Sequence, residues 1–149
     1  MMKLNKVVAM GEALIDRLGP PGGDPSVDLP VTDCFGGAPA NVACALSRLG
    51  VDVSFIGSLG NDVFGKDFKN LLIQRGINTI GLQKDKYRPT RIVLVRRDAE
   101  GERSFEGFEG NKGLGFADQA ISREQVKKDW PLIIDNAKWL VLGLSLIHI

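Results

Sequence analysis

Apolar residues recur along this chain in two rhythms. Short unbroken runs suit buried strands, and runs at helical spacing lie between glycine and proline stops. Val7-Val8-Ala9-Met10 is continuous and closes at Gly11, the pattern of a strand buried on both faces. Prolines and glycines interrupt residues 19–33 throughout, as in Gly19-Pro20-Pro21-Gly22-Gly23-Asp24-Pro25, and predict loop with short extended pieces. Gly36-Gly37-Ala38-Pro39 then leads into Val42, Leu46 and Leu49 at helical spacing, ending at Gly50. Proline in the first turn and glycine past the last residue are helix start and stop signals. Residues 51–56 predict a second buried strand. Asp62 is placed to cap a helix with Phe64, Phe68, Leu71 and Leu72 on its apolar face and Gly76 as its stop. Residues 77–82 predict a third strand. The order βαβαβ predicts an α/β fold with a parallel sheet and right-handed crossovers.

The alternation then breaks. Arg91-Ile92-Val93-Leu94-Val95, Asp98-Ala99-Glu100-Gly101 and Glu102-Arg103-Ser104-Phe105 read as strand, tight turn and strand, a two-stranded hairpin. Ser122-Arg123-Glu124-Gln125 has the form of a capping box, with Val126, Ile133 and Ile134 on the core side of the helix it opens. Trp139-Leu140-Val141-Leu142 predicts a fourth parallel strand. Such a strand needs helices over both faces, so residues 1–143 are expected to be the front part of a larger domain. Residues 144–149, with Ser145-Leu146-Ile147-His148-Ile149, carry no cap or turn logic and read as a non-native tail, translated adaptor sequence.

Composition narrows the class of function. The 149 residues carry a formal net charge of +1, which supplies no basic field for nucleic acid. No apolar run approaches the roughly 20 residues that span a bilayer, and the start lacks a secretory signal, so a cytoplasmic protein without a membrane partner is expected. Cys34 and Cys44 make no disulfide framework and, with the lone His148, no zinc pattern. Both cysteines read as small buried hydrophobes.

Two motifs invite a chemical reading. Gly60-Asn61-Asp62-Val63-Phe64-Gly65-Lys66-Asp67 nearly fits a nucleotide phosphate loop. The position after the lysine needs a hydroxyl for magnesium, and Asp67 there would repel phosphates instead. No G-x-G-x-x-G joins a strand to a helix either. The second motif is Gly36-Gly37-Ala38-Pro39-Ala40-Asn41, where two glycines at a helix start let a ligand approach backbone and the first N–H groups. Taken alone, the pair serves a tight turn equally well. Asn41, one turn in, offers both donor and acceptor to a hydroxyl.

Residues 36–60 resemble the first signature of the ribokinase-like (PfkB) carbohydrate kinases at every fixed position. Gly11-Glu12-Ala13-Leu14-Ile15-Asp16 is similar to the opening strand and turn of the fructokinases in that family, and Gly60-x-Asp62-x-x-Gly65 to its G-x-D-x-x-G. The interrupting hairpin fits the family's β-lid. The resemblance implies a ribokinase-like parallel sheet with flanking helices and a small β-lid, with lid segments at about 12–33 and 89–110. It implies that Asp16 accepts hydrogen bonds from sugar hydroxyls, that Gly36 and Gly37 line the sugar pocket, and that Asn41 binds the sugar. It assigns Gly57, Gly60, Asp62 and Gly65 to the scaffold.

The chain departs from ribokinases proper at Ala38, where they carry lysine, and at Leu14, where they carry asparagine. Both departures point toward a fructokinase-like member. The implied reaction moves the γ-phosphate of ATP, with Mg2+, to a primary sugar hydroxyl, most simply of fructose. Alternatives are another acceptor (2-keto-3-deoxygluconate or a nucleoside) or a family-derived protein that binds without catalysis. The family's general base sits in a G-A-G-D motif, which this sequence does not contain, so no catalytic residue is expected within it. The hairpin carries apolar residues on both faces over 92–95 and 105–108 and is marginal alone in water. It is therefore expected to pack against the sugar site or the lid of a second subunit, with the complete protein a homodimer.

Overall fold

The computed structural model describes residues 6–143. The tail from 144 to 149 and His148 lie outside the described residues. Strands β1 (Lys6–Met10), β2 (Leu14–Pro21) and β3 (Thr32–Gly36) precede α1 (Ala38–Arg48), β4 (Val53–Gly60), α2 (Val63–Gln74) and β5 (Leu82–Asp85). The hairpin β6 (Ile92–Arg97) and β7 (Arg103–Glu109) follows, then a short 3-10 turn (Ala117–Gln119), α3 (Arg123–Ile134) and β8 (Ala137–Leu142).

One sheet has the order β5-β4-β1-β8, and each of its pairings is parallel. β4 is buried along its whole length, as a strand paired on both sides and covered on both faces must be. Its side chains alternate. Val53, Phe55 and Leu59 join Ala9 of β1 against Ala43 and Cys44 of α1 and Phe68 and Leu72 of α2. Ile56 and Val8 face the other way and meet Ile133, Val126 and Trp130 of α3. The helix faces expected from apolar spacing pack on α2 and α3. On α1, however, Val42 and Leu49 are exposed, and the small Ala40, Ala43 and Cys44 supply the buried face because the helix lies close against the sheet. Cys44 is buried as expected, but Cys34 is exposed on β3.

Element boundaries differ from expectation where local signals compete. The strand expected at 77–82 lies at Leu82–Asp85. Ile77 is consumed in closing α2, its N–H donating to the Leu72 carbonyl, and Leu82 N–H closes a turn on Thr79. Asn78 makes one bridge to Ser54 and accepts from Ile80 N–H through its side chain. As an edge strand, β5 needs little apolar content. The Ser122 hydroxyl accepts from Gln125 N–H at 3.3 Å, but the reciprocal half of the capping box is absent. Gln83 of β5 takes its place, accepting from Ser122 N–H at 2.7 Å, while the Gln125 side chain donates to Asp129.

The second sheet, β3-β2-β6-β7, departs most from the sequence reading. The hairpin is not a free two-stranded ribbon, because β6 also runs parallel to β2, matching Asp16 to Val93 and Leu18 to Val95. The segment expected as loop holds strand as far as Pro21 and again from Thr32. Phe105 and Phe108 remain exposed on β7.

Asp62 joins the two sheets. One carboxylate oxygen accepts from Gly65 N–H in the first turn of α2 and from the Thr90 hydroxyl, each at 2.8 Å. The other accepts from Thr90 N–H at 2.7 Å. Thr90 lies two residues before β6 and is buried, and its hydroxyl in turn accepts from Gly60 N–H at 3.0 Å. A Cβ at Gly60 would occupy the place of the Thr90 amide, and one at Gly65 would run into the Gly60 carbonyl. The G-x-D-x-x-G spacing is therefore that of a joint between sheets.

Asp62→Ala should remove a helix cap and strand a buried N–H and hydroxyl. The expected loss is about 2–4 kcal/mol, read as a lower urea midpoint at unchanged slope.

Candidate acceptor site at the start of helix α1

From β1 the chain moves by way of α1 to β4 on one side, whereas β8 pairs on the other side. The point between β1 and β8 is thus a topological switch, and in open α/β sheets ligands bind beyond the carboxyl ends of the strands at such points. The residues just past β1, Gly11 and Glu12, and the start of α1 lie there. Pro39 packs against both Gly11 and Gly143, the residue after β8.

The di-glycine turn is shaped by its neighbours. Gly37 is the N-cap of α1 with φ of 101°, and no side chain caps the helix from that position. Its positive φ suits glycine alone, and a Cβ there would also strike the Glu12 carbonyl. Gly36 closes β3 opposite Leu14, and the place of its missing Cβ is filled by the Asp16 carboxylate. Three of the expected site residues, Asp16, Gly36 and Gly37, are therefore in one place. Asn41 stands one turn along α1, its N–H donating to the Gly37 carbonyl at 2.9 Å, with an exposed side chain.

Asp16 is not a freely solvated turn aspartate. It lies within β2, between Cys34 of β3 and Val93 of β6. Burial pushes its carboxyl above the usual carboxylate range, and the Arg103 charge opposes that rise. Among the described residues no hydrogen bond reaches its carboxylate oxygens.

Sequence reasoning missed two features. Glu12 is 3% exposed, and its carboxylate accepts from Ala38 N–H at 3.3 Å, capping α1 from another element. The missing cap side chain at Gly37 is the signal that could have suggested such a partner. Arg91 and Asp118 form a buried, two-pronged pair at 2.8 and 2.9 Å. The guanidinium lies over both the Phe108 and Phe116 rings, 5.0 and 5.1 Å from their centroids. Nothing in the local pattern links residues 91 and 118.

A cavity of about 430 Å³ opens elsewhere, past the ends of β4 and β5, lined among others by Lys66, Lys69 and Lys84. None of the four expected site residues lines it. Among the described residues no group of three or more His, Cys, Asp or Glu side chains could hold a metal ion. No helix there is long and apolar enough to cross a membrane.

A parallel α/β core with a separate small sheet beside the di-glycine turn is the architecture that the resemblance to ribokinase-like kinases implies. The model of the pfkB carbohydrate kinase family matches residues 4–139, and the chain belongs to that family. Fructokinase from Vibrio alginolyticus is 39% identical over 102 residues, 68% of this chain and 31% of the relative. Fructokinase-2 of rice (Oryza sativa subsp. japonica) is 40% identical over 148 residues, covering 96% of this chain and 41% of the relative. A sugar kinase from Pyrococcus horikoshii, solved in complex with ATP, superposes with a TM-score of 0.79 at 31% identity. That match covers 95% of this chain and 44% of the other. The chain thus spans about 31–44% of the length of these relatives.

The Asp16 carboxyl should titrate above the solvated aspartates in a carbon-13 NMR pH series. Arg103→Gln should move it further up, since the charge that holds it down is gone.

Proposed function

We propose that this chain is the acceptor-binding part of an ATP-dependent sugar kinase, cytoplasmic, with fructose as the acceptor. The observation that carries the reading is the Asp16 carboxylate set against Gly36 and Gly37 at the start of α1. Asp16 accepts bonds from neighbouring sugar hydroxyls, which charge assistance makes strong. The glycines let the sugar reach backbone, and the exposed Asn41 amide adds a neutral contact. The fructokinase names among the relatives and the two departures from ribokinase, Ala38 and Leu14, support fructose over 2-keto-3-deoxygluconate or a nucleoside.

ATP enters with Mg2+ as co-substrate and supplies the phosphoryl group. Phosphoryl transfer depends chiefly on positioning and charge stabilisation. The part played here is positioning: β2 and the first turn of α1 fix the acceptor. The general base is assigned to a G-A-G-D motif outside this sequence. The second sheet acts as a lid over the acceptor, and its exposed Phe105 and Phe108 suit burial against a second copy.

In the complete kinase, Asp16→Ala should cost roughly 1.5–3 kcal/mol of hydroxyl bonding, about a ten- to hundredfold fall in kcat/KM for sugar. The KM for ATP should stay unchanged, and Asn41→Ala should show the same pattern more weakly. Steady-state kinetics with each substrate varied in turn decides it. A rise in KM for ATP alone would remove Asp16 from the acceptor site. Wild-type protein that binds fructose without turnover would favour the non-catalytic reading.

Sedimentation of the complete kinase at micromolar concentration should give a dimer. Phe105→Glu with Phe108→Glu should yield a monomer, because two charges would then lie in the buried contact.

A further inference from the structure

Glu12 is a buried carboxylate to which the reading above gives no task. It is 3% exposed. One oxygen accepts from Ala38 N–H, and the other, Oε2, has no partner among the described residues. Oε2 faces the end of β8, where a Cβ on Gly143 would lie 2.9 Å from it. The nearest buried acid, Asp118, feels its charge: burial raises the Asp118 carboxyl, Arg91 pulls it back, and Glu12 adds to the rise. The Arg91 guanidinium makes its two side-chain bonds to Asp118 and none to Glu12. A half-satisfied buried carboxylate beside a second acid works against stability. Sites that keep such a group against stability are commonly functional ones.

The geometry shows what the group holds. The N-cap, Gly37, offers no side-chain acceptor, and Glu12 meets that need from the far end of β1. Its negative charge sits at the positive end of the α1 dipole. Its own carbonyl fills the space that a Cβ on Gly37 would take, while Asp16 fills the corresponding space at Gly36. The di-glycine turn is thus backed at Gly37 by the Glu12 backbone and at Gly36 by the Asp16 carboxylate, while the Glu12 side chain holds the Ala38 amide.

We propose that Glu12 is a positioning residue of the acceptor pocket, anchoring the di-glycine turn and the first turn of α1 so that Gly36, Gly37 and Asn41 meet the sugar at a fixed place. This rests on the sugar-kinase reading of the same site. Glu12 does not touch the sugar; its side chain acts through the Ala38 amide.

The test uses Glu12→Ala and Glu12→Gln in the complete kinase, with two readouts. In steady-state kinetics with fructose, Glu12→Ala should raise the sugar KM about tenfold while the KM for ATP stays within about twofold. In hydrogen exchange, the Ala38 and Asn41 amides should exchange at least about fivefold faster. Glu12→Gln keeps an oxygen for Ala38 and should restore both readouts to within about threefold of wild type. If Glu12→Ala does not fold, Glu12→Asp, whose carboxylate is one methylene too short to reach, takes its place. Unchanged sugar KM, an equal rise in both KM values, or Gln behaving like Ala would overturn the proposal. Wild-type protein that phosphorylates no sugar would sink the functional reading instead, and the exchange readout then decides alone whether Glu12 anchors the turn.

Discussion

The hydrogen bonds gathered on the Asp62 carboxylate set the relation between the two sheets. The group caps α2 through Gly65, fixes the Thr90 backbone through its N–H, and orients the Thr90 hydroxyl toward Gly60 at the end of β4. Each of these donors would be costly to bury unpaired. The parallel core thereby dictates where β6 begins. Because β6 pairs directly with β2, it also dictates the position of the strand that carries Asp16. Arg91, the next residue, extends the joint through Asp118 and the two phenylalanine rings. Its buried charge depends on that pairing, since a lone guanidinium in the same place would be strongly disfavoured.

The same principle, backbone fixed by distant groups, shapes the di-glycine turn at the start of α1. The di-glycine turn has no side chains of its own with which to hold a shape. Its conformation comes from its neighbours: Glu12 beneath Gly37 and Ala38, Asp16 against Gly36, and α1 continuing behind. Backbone held from outside can leave its own N–H groups and surface open to a ligand, which a turn stabilised by its own side chains cannot. Membership of the pfkB carbohydrate kinases accords with that design. The relatives extend well beyond the residues of this chain.

Much of the architecture was legible from local pattern. β1, α1, α2, α3 and β8 appear close to where apolar spacing, caps and glycine stops place them, because each signal acts within one or two helical turns. The third parallel strand was misplaced because Ile77 and Asn78 look like strand residues but serve to end α2 and form a turn. The cap of α3 was half right: Ser122 caps as its type predicts, but the reciprocal partner comes from Gln83, 39 residues away. The di-glycine turn and Asp16 stood out through motif spacing, while Glu12 between Gly11 and Ala13 gave no local sign of what it would hold.

Local sequence by itself determined the class of fold, the helix limits, and the glycines at the start of α1, since these depend on backbone propensity and on apolar periods of two and 3.6 residues. Only tertiary structure decided that β2 and β6 run side by side, that Asp62 reaches Thr90, that Arg91 finds Asp118, and that Glu12 caps a helix it does not belong to. Each of these joins residues more than twenty positions apart. A one-dimensional pattern records which side chains can donate, accept or pack. Which donor meets which acceptor is settled only when the parallel sheet closes and buried polar groups must find partners.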